Sequence, residues 1–166
     1  LEDGKVWSTD RVVNGGLLND KVIGVYSARL YPATGSNAVL QLTEAYPDSI
    51  SRISYWVASY GSDNMANVTL TVEVSTNGLE WTSVETLAGA ADITGTMTER
   101  VIETIPENAV YLRFVATAQA TSNKRINIDN IAISLGQVVG KPVVVIDGNL
   151  SGTVNSQMSL EITLQN

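Results

Sequence analysis

The sequence predicts an all-β protein, a two-sheet antiparallel β-sandwich, and three observations carry that prediction. In the runs Ile53–Ala58 and Val68–Val74 apolar residues recur at every second position, as they do on a strand with one buried face. An Asn77-Gly78 pair follows the second run, and Asn and Gly accept the positive φ that tight β-turns require. A closing run, RINIDNIAIS from Arg125 to Ser134, repeats the alternation far along the chain. Short strands at regular spacing, without a capped apolar segment of 3.6 periodicity, imply two packed sheets.

The elements follow in order. Residues 1–19 are polar and turn-rich around Trp7 and read as irregular chain with one short strand. Tyr26–Leu30 and Ala38–Leu42 read as successive strands separated by a Pro32/Gly35 turn. In the next run Ile53, Tyr55 and Val57 share one face, while Ser54, Trp56 and Ala58 share the other. Val68, Leu70, Val72 and Val74 alternate with Thr69, Thr71 and Glu73, the cleanest strand pattern in the chain. Ser75–Gly78 supplies a hairpin turn, from which residues 80–84 return antiparallel. Two further strands, 100–105 and 110–116, flank Pro106, and residues 126–135 form the last. Residues 88–98 are rich in Gly and Thr and carry no helix signal. A boundary is expected at Gly136–Pro142, giving a first domain over 1–136 and a linker with a partial β segment over 137–166. That tail, with Val143–Ile146 and Ser159–Leu164, is too short to bury a core by itself.

Composition removes several functions at once. The 166 residues include no Cys and no His, so thiolate nucleophiles, Cys/His zinc sites and His-based triads are excluded. The net charge of −7 repels nucleic-acid phosphates and anionic membrane surfaces, so no nucleic-acid partner is expected. No apolar run approaches the roughly 20 residues that cross a bilayer, so no membrane insertion is expected. Carboxylates are present, but no spacing marks the pair that a glycosidase needs, and the chain is read as not an enzyme.

Several segments together resemble the galactose-binding-like, carbohydrate-binding-module-like jelly-roll domains of secreted bacterial multidomain proteins. They are Trp7, GVYSARL (24–30), SYWVASYGSD (54–63), VEVSTNGLEWTSV (72–84), YLRF (111–114) and RINIDNIAIS, in matching order over residues 1–135. The tail is similar to the start of an immunoglobulin-like module. The resemblance implies a jelly roll and an accessory role at the cell surface or outside the cell, beside other domains of one parent polypeptide. Relatives of this kind bind glycans, bind other partners, or space their neighbours. The leading expectation is therefore a non-catalytic module that binds carbohydrate on a concave sheet face. The alternative is a structural spacer that orients a catalytic domain.

Two sites are expected. The resemblance implies one structural calcium ion shared by the N-terminal segment and the last strand, which points to Glu2, Asp3 and Asp129, residues with the oxygen donors that calcium prefers. The competing reading is that Asp129 and Asn130 bond backbone at a bulge. The second site is a sugar face: Trp56, Glu73 and Arg113 point away from the core on neighbouring strands, with Tyr60 as a rim. An aromatic ring stacks on the apolar face of a sugar, and charged groups hydrogen-bond its hydroxyls. The competing reading is an ordinary Glu73–Arg113 cross-strand pair. Trp7 and Trp81 are read as covers for the core edges.

Overall fold

The computed structural model describes residues 4–119 and 124–136. Its strands are β1 (Trp7–Asp10), β2 (Val12–Gly15), β3 (Ser27–Leu30), β4 (Ala38–Leu42), β5 (Ile50–Ser59), β6 (Val68–Ser75), β7 (Thr82–Ala88), β8 (Thr98–Ile102), β9 (Tyr111–Ala118) and β10 (Ile126–Leu135), with a single-turn helix, α1 (Gly89–Asp92). They form two five-stranded antiparallel sheets, in the orders β1-β4-β9-β6-β7 and β2-β3-β10-β5-β8. The sandwich expected from the alternating runs is the fold observed.

Period two produces the core directly. Leu30, Ile53, Tyr55, Val57, Leu70, Val72, Leu112, Phe114, Ile126 and Ile128 face inward and are buried between the sheets. Tyr55 and Phe114 meet edge to face across the middle, their ring centroids 5.1 Å apart. Trp7 packs on Phe114 from β1, which agrees with its reading as a core cover.

The two lateral sides of the sandwich close differently. On one side β7 and β8 are joined by Glu85 and Arg100, whose guanidinium forks onto one carboxylate oxygen while the buried Tyr55 hydroxyl donates to the other at 2.7 Å. On the other, where β1 and β2 are the outermost strands, a cleft of about 740 Å3 lies between the sheets. Val12, Ala28, Leu40 and Ile128 line it, with Tyr26 and Asn130 also in its wall.

Strand limits differ from the sequence reading where side chains bind turn backbone. Residues 80 and 81 are not in β7, because the Asn77 side chain accepts from the N–H groups of Leu79 and Glu80 and lengthens the turn. One helical turn forms at 89–92, where none was expected; Gly89 supplies the positive φ at its start. The largest departure concerns neighbours. β5 and β6, consecutive in sequence and expected to be adjacent, lie in opposite sheets. The tail 137–166, with the expected second module, lies outside the described residues.

Candidate functional site

Alternation puts Glu73 of β6 and Arg113 of β9 on the outer face of the first sheet, directly opposite each other in register. They form a salt bridge in which both side chains are partly exposed. Arg113 also lies under Trp81, its guanidinium carbon 4.2 Å from the ring centroid. Trp81 reaches this position because the turn closing the β6–β7 hairpin folds back over the sheet, with Gly78 against the Tyr111 ring. Gln41 and Ser83 extend the Glu73–Arg113 row on either side, and Thr69, Thr71, Thr86 and Thr117 share the face. An aromatic ring, an arginine, a carboxylate and a field of hydroxyls and an amide are thus displayed together. Sequence reading assigned Trp81 to the core edge; its signal was the hairpin, which carries the ring to the strand beyond the one it joins.

Trp56 does not belong to this group. It projects from β5 on the outer face of the second sheet, half-buried, with Asp129 and Glu99 as its cross-strand neighbours. The expected single face of Trp56, Glu73 and Arg113 is therefore split across the two sides of the sandwich, because alternation fixes which face a residue occupies but not which strand is its neighbour.

Tyr60 is not a rim residue either. It is buried, with the guanidinium of Arg125 3.8 Å and that of Arg29 5.2 Å from its ring centroid. Each arginine is held by its own carboxylate, Arg125 by a two-pronged contact with Asp63 and Arg29 by Asp20 at 2.9 Å. Burial pushes the Asp63 carboxyl up, but the hydrogen bonds and charge of Arg125, with the charge of Lys124, outweigh it and hold the group below the usual carboxylate range. The same contact raises the Arg125 guanidinium. This stack joins β3, the end of β5 and the start of β10.

The loop from Gly16 to Tyr26 crosses the outer face of the second sheet and is fastened there by three side chains. Asn127, fully buried, donates to Asp20 and Ser27 at 2.8 Å each and accepts from the Lys21 N–H. Asp20 accepts from the Leu17 N–H. Asp129 accepts from the Ile23 N–H with one oxygen and from the Asn130 N–H with the other. The competing sequence reading of Asp129, backbone bonding at a bulge, is thus present: Asn130 has φ 47° and the β10–β5 register shifts there. Glu2 and Asp3 lie outside the described residues; among the described residues no group of three or more His, Cys, Asp or Glu side chains gathers to hold a metal.

Two further polar contacts escaped the sequence reading. Lys124, nearly buried, donates its Nζ to the carbonyls of Asn64 and Ala66 and ties the 64–67 turn to the start of β10. Tyr55 is kept protonated by burial and by its hydrogen bond to Glu85. Both are staples inside the fold. Period two places Tyr55 in the core but does not name a partner for its hydroxyl, and Lys124 lies outside any alternating run.

No protein-family model matches this chain, and no curated protein does. Solved structures do, at low identity. The K2 cleaved adhesin domain of Lys-gingipain is 17% identical, over 81% of this chain and 85% of that one, with a TM-score of 0.55. The K3 adhesin domain of Lys-gingipain from Porphyromonas gingivalis w83 is 14% identical over 78% and 91%, with a TM-score of 0.56. A family 61 carbohydrate-binding module, solved in complex with β-1,4-galactotriose, is 13% identical over 81% and 90%, with a TM-score of 0.51. The fold is thus that of the carbohydrate-binding-module-like jelly rolls, a class that also includes adhesin domains. Among the described residues no helix is long and apolar enough to cross a membrane.

Proposed function

We propose that this chain is a non-catalytic accessory module of an exported bacterial protein, acting at the cell surface or outside the cell, and that it binds a neutral glycan. The binding surface is the outer face of the first sheet. The observation that carries the reading is Arg113 fixed between Glu73 and Trp81 amid side-chain hydroxyls and the Gln41 amide. A guanidinium already braced by a carboxylate and a ring loses little freedom when it donates to sugar hydroxyls, which lowers the cost of binding. The half-buried Trp81 ring offers apolar surface to a sugar ring. The carbohydrate-binding and adhesin domains of the same fold support the class of function, and one neighbour's β-1,4-galactotriose indicates a ligand type to try first.

Affinity electrophoresis through gels containing galactans, mannans or β-glucans tests the proposal. Retardation in at least one gel is expected, with Trp81→Ala and Arg113→Ala each weakening it about tenfold, the loss of one well-placed stacking or charged contact. Trp56→Ala is expected to leave retardation unchanged. Loss only with Trp56→Ala would move the site to the opposite sheet. Absence of retardation in every gel would leave the spacer as the better reading.

A further inference from the structure

Asn-Gly occurs twice in the sequence, at 14–15 and at 77–78. The pair is chemically vulnerable, because glycine has no Cβ to keep its nitrogen away from the carboxamide carbon of the asparagine before it. The reaction at issue is deamidation. Base removes the proton of the glycine N–H, the nitrogen bonds to the asparagine Cγ, and the Cγ–Nδ2 bond breaks, Nδ2 leaving as ammonia with a proton from water. Water then opens the five-membered imide, at one carbonyl to give aspartate and at the other to give isoaspartate, whose side chain becomes part of the backbone.

The two pairs are held in different ways. Asn14 and Gly15 lie in β2, in register with Ala28 and Ser27 of β3, where the sheet keeps the backbone extended. Asn77 and Gly78 belong to no strand, and Asn77 is exposed.

One hydroxyl holds the second pair. Ser75 ends β6 opposite Tyr111, its carbonyl accepts from the Val110 N–H, and its side chain is buried. The sheet therefore places its Oγ, which accepts from the Gly78 N–H at 2.9 Å and from the Asn77 N–H at 3.2 Å. The proton that must leave before Gly78 can attack is thus bonded to a buried oxygen, and base reaches it when that bond opens. Asn77 Oδ1 meanwhile accepts from the Leu79 and Glu80 N–H groups at 2.9 Å each and from the Ser75 hydroxyl at 3.1 Å. Donors on that oxygen stabilise the negative charge that gathers there during attack, as an oxyanion hole does. The turn is activated at the carbon and blocked at the nitrogen.

We propose that Asn77 is a latent deamidation site, held closed by the Ser75 hydroxyl. Its opening adds a carboxylate close to Glu80 and, in isoaspartate, an extra backbone carbon to the turn that sets Gly78 against Tyr111 and carries Trp81 over Arg113. Ser75 thereby guards the candidate glycan face, a consequence that rests on the function proposed above, whereas the reaction does not.

The full chain, Ser75→Ala and Ser75→Thr are incubated in mildly alkaline buffer, and peptide mapping by mass spectrometry follows deamidation at Asn77 and Asn14. Ser75→Ala is expected to react at Asn77 about tenfold faster than the unsubstituted chain, the effect of one hydrogen bond to a reacting group. Ser75→Thr should keep the unsubstituted rate, and Asn14 should react equally in all three. Equal rates at Asn77 in Ser75→Ala and the unsubstituted chain would overturn the proposal. Acceleration of both asparagines alike would mark general loosening and overturn the assignment to Ser75. Hydrogen exchange needs no variant: the Gly78 amide of the unsubstituted chain is expected to exchange at least tenfold slower than in the same chain unfolded in guanidinium chloride. Exchange at the unfolded rate would overturn the proposal as well. None of these readouts requires a glycan, so their failure is distinct from failure of the retardation test.

Discussion

Asn127 shows what one buried amide does in this fold. Its side chain satisfies Asp20, Ser27 and the Lys21 N–H, so it holds the 16–26 loop to β3 and β10 at once. Asn127→Ala would leave the Asp20 and Ser27 oxygens and the Lys21 N–H without that partner. The expected loss is about 1–3 kcal/mol of stability, the usual cost of leaving buried polar groups unsatisfied. Urea unfolding measures it, and amide exchange across 16–26 should quicken in the same variant. A loss under about 0.5 kcal/mol, the range of ordinary surface substitutions, would mean that water replaces the amide without cost. The neighbouring Gly15 has a related constraint: a Cβ there would lie 2.7 Å from Asp20 Oδ1 and from Ser27 Oγ. In the sequence Gly15 is one residue of a turn-rich stretch, whereas in the structure its bare Cα lets Asp20 and Ser27 approach.

At the level of elements, the β6–β7 hairpin connects fold to candidate site. Gly78 sits at φ +75°, and a Cβ on it would be 3.4 Å from the Tyr111 ring. Gly78→Ala should therefore destabilise the protein by about 1 kcal/mol, from the left-handed backbone alone. It should also weaken glycan retardation, because the turn that places Trp81 over Arg113 rests on Tyr111. Thermal unfolding and affinity electrophoresis on the same sample separate the two effects. Full stability with lost binding, or the reverse, would show that the turn does not couple them. The sequence made this hairpin legible through Asn77-Gly78 and the alternation on β6. It also identified the inward set Ile53, Tyr55, Val57, Leu112 and Phe114, since burial follows directly from period two. The partner of each strand was not legible. A local pattern records which face of a strand is apolar, while pairing is decided by how strands cross between sheets over long sequence separations. For that reason Glu73 and Arg113 were correctly placed on one face, whereas Trp56 was joined to them across what is in fact the thickness of the sandwich. Trp81 and the Arg29–Tyr60–Arg125 stack depend on loops folding back, which alternation does not encode.

For the whole molecule, the titrating groups that the fold perturbs among the described residues lie far from neutrality, and with no histidine in the chain no side chain has its ordinary value near pH 6.5. Asp63 is held below the usual carboxylate range. Its unfolded counterpart titrates near 3.9, so its contribution is present above about pH 4 and is lost as the pH falls through the lower folded value. Tyr55 has the opposite sign. Burial and the Glu85 hydrogen bond raise it, so its contribution is full below the unfolded value of about 10 and is lost as the pH rises above that. Stability should accordingly form a plateau between about pH 5 and pH 9 and decline on both sides. The two limbs respond to different substitutions. Asp63→Asn removes the group that titrates and should flatten part of the acid limb, at the cost of about 1–2 kcal/mol on the plateau for weakened bonds to Arg125. Tyr55→Phe should reduce the alkaline limb, lowering the plateau by about 1 kcal/mol as Glu85 loses one donor and keeps Arg100. Urea unfolding at half-unit pH steps provides the measurement. A stability step centred between pH 6 and 7 would contradict this account, because none of the groups perturbed among the described residues, Asp63, Tyr55, Arg100 and Arg125, titrates there.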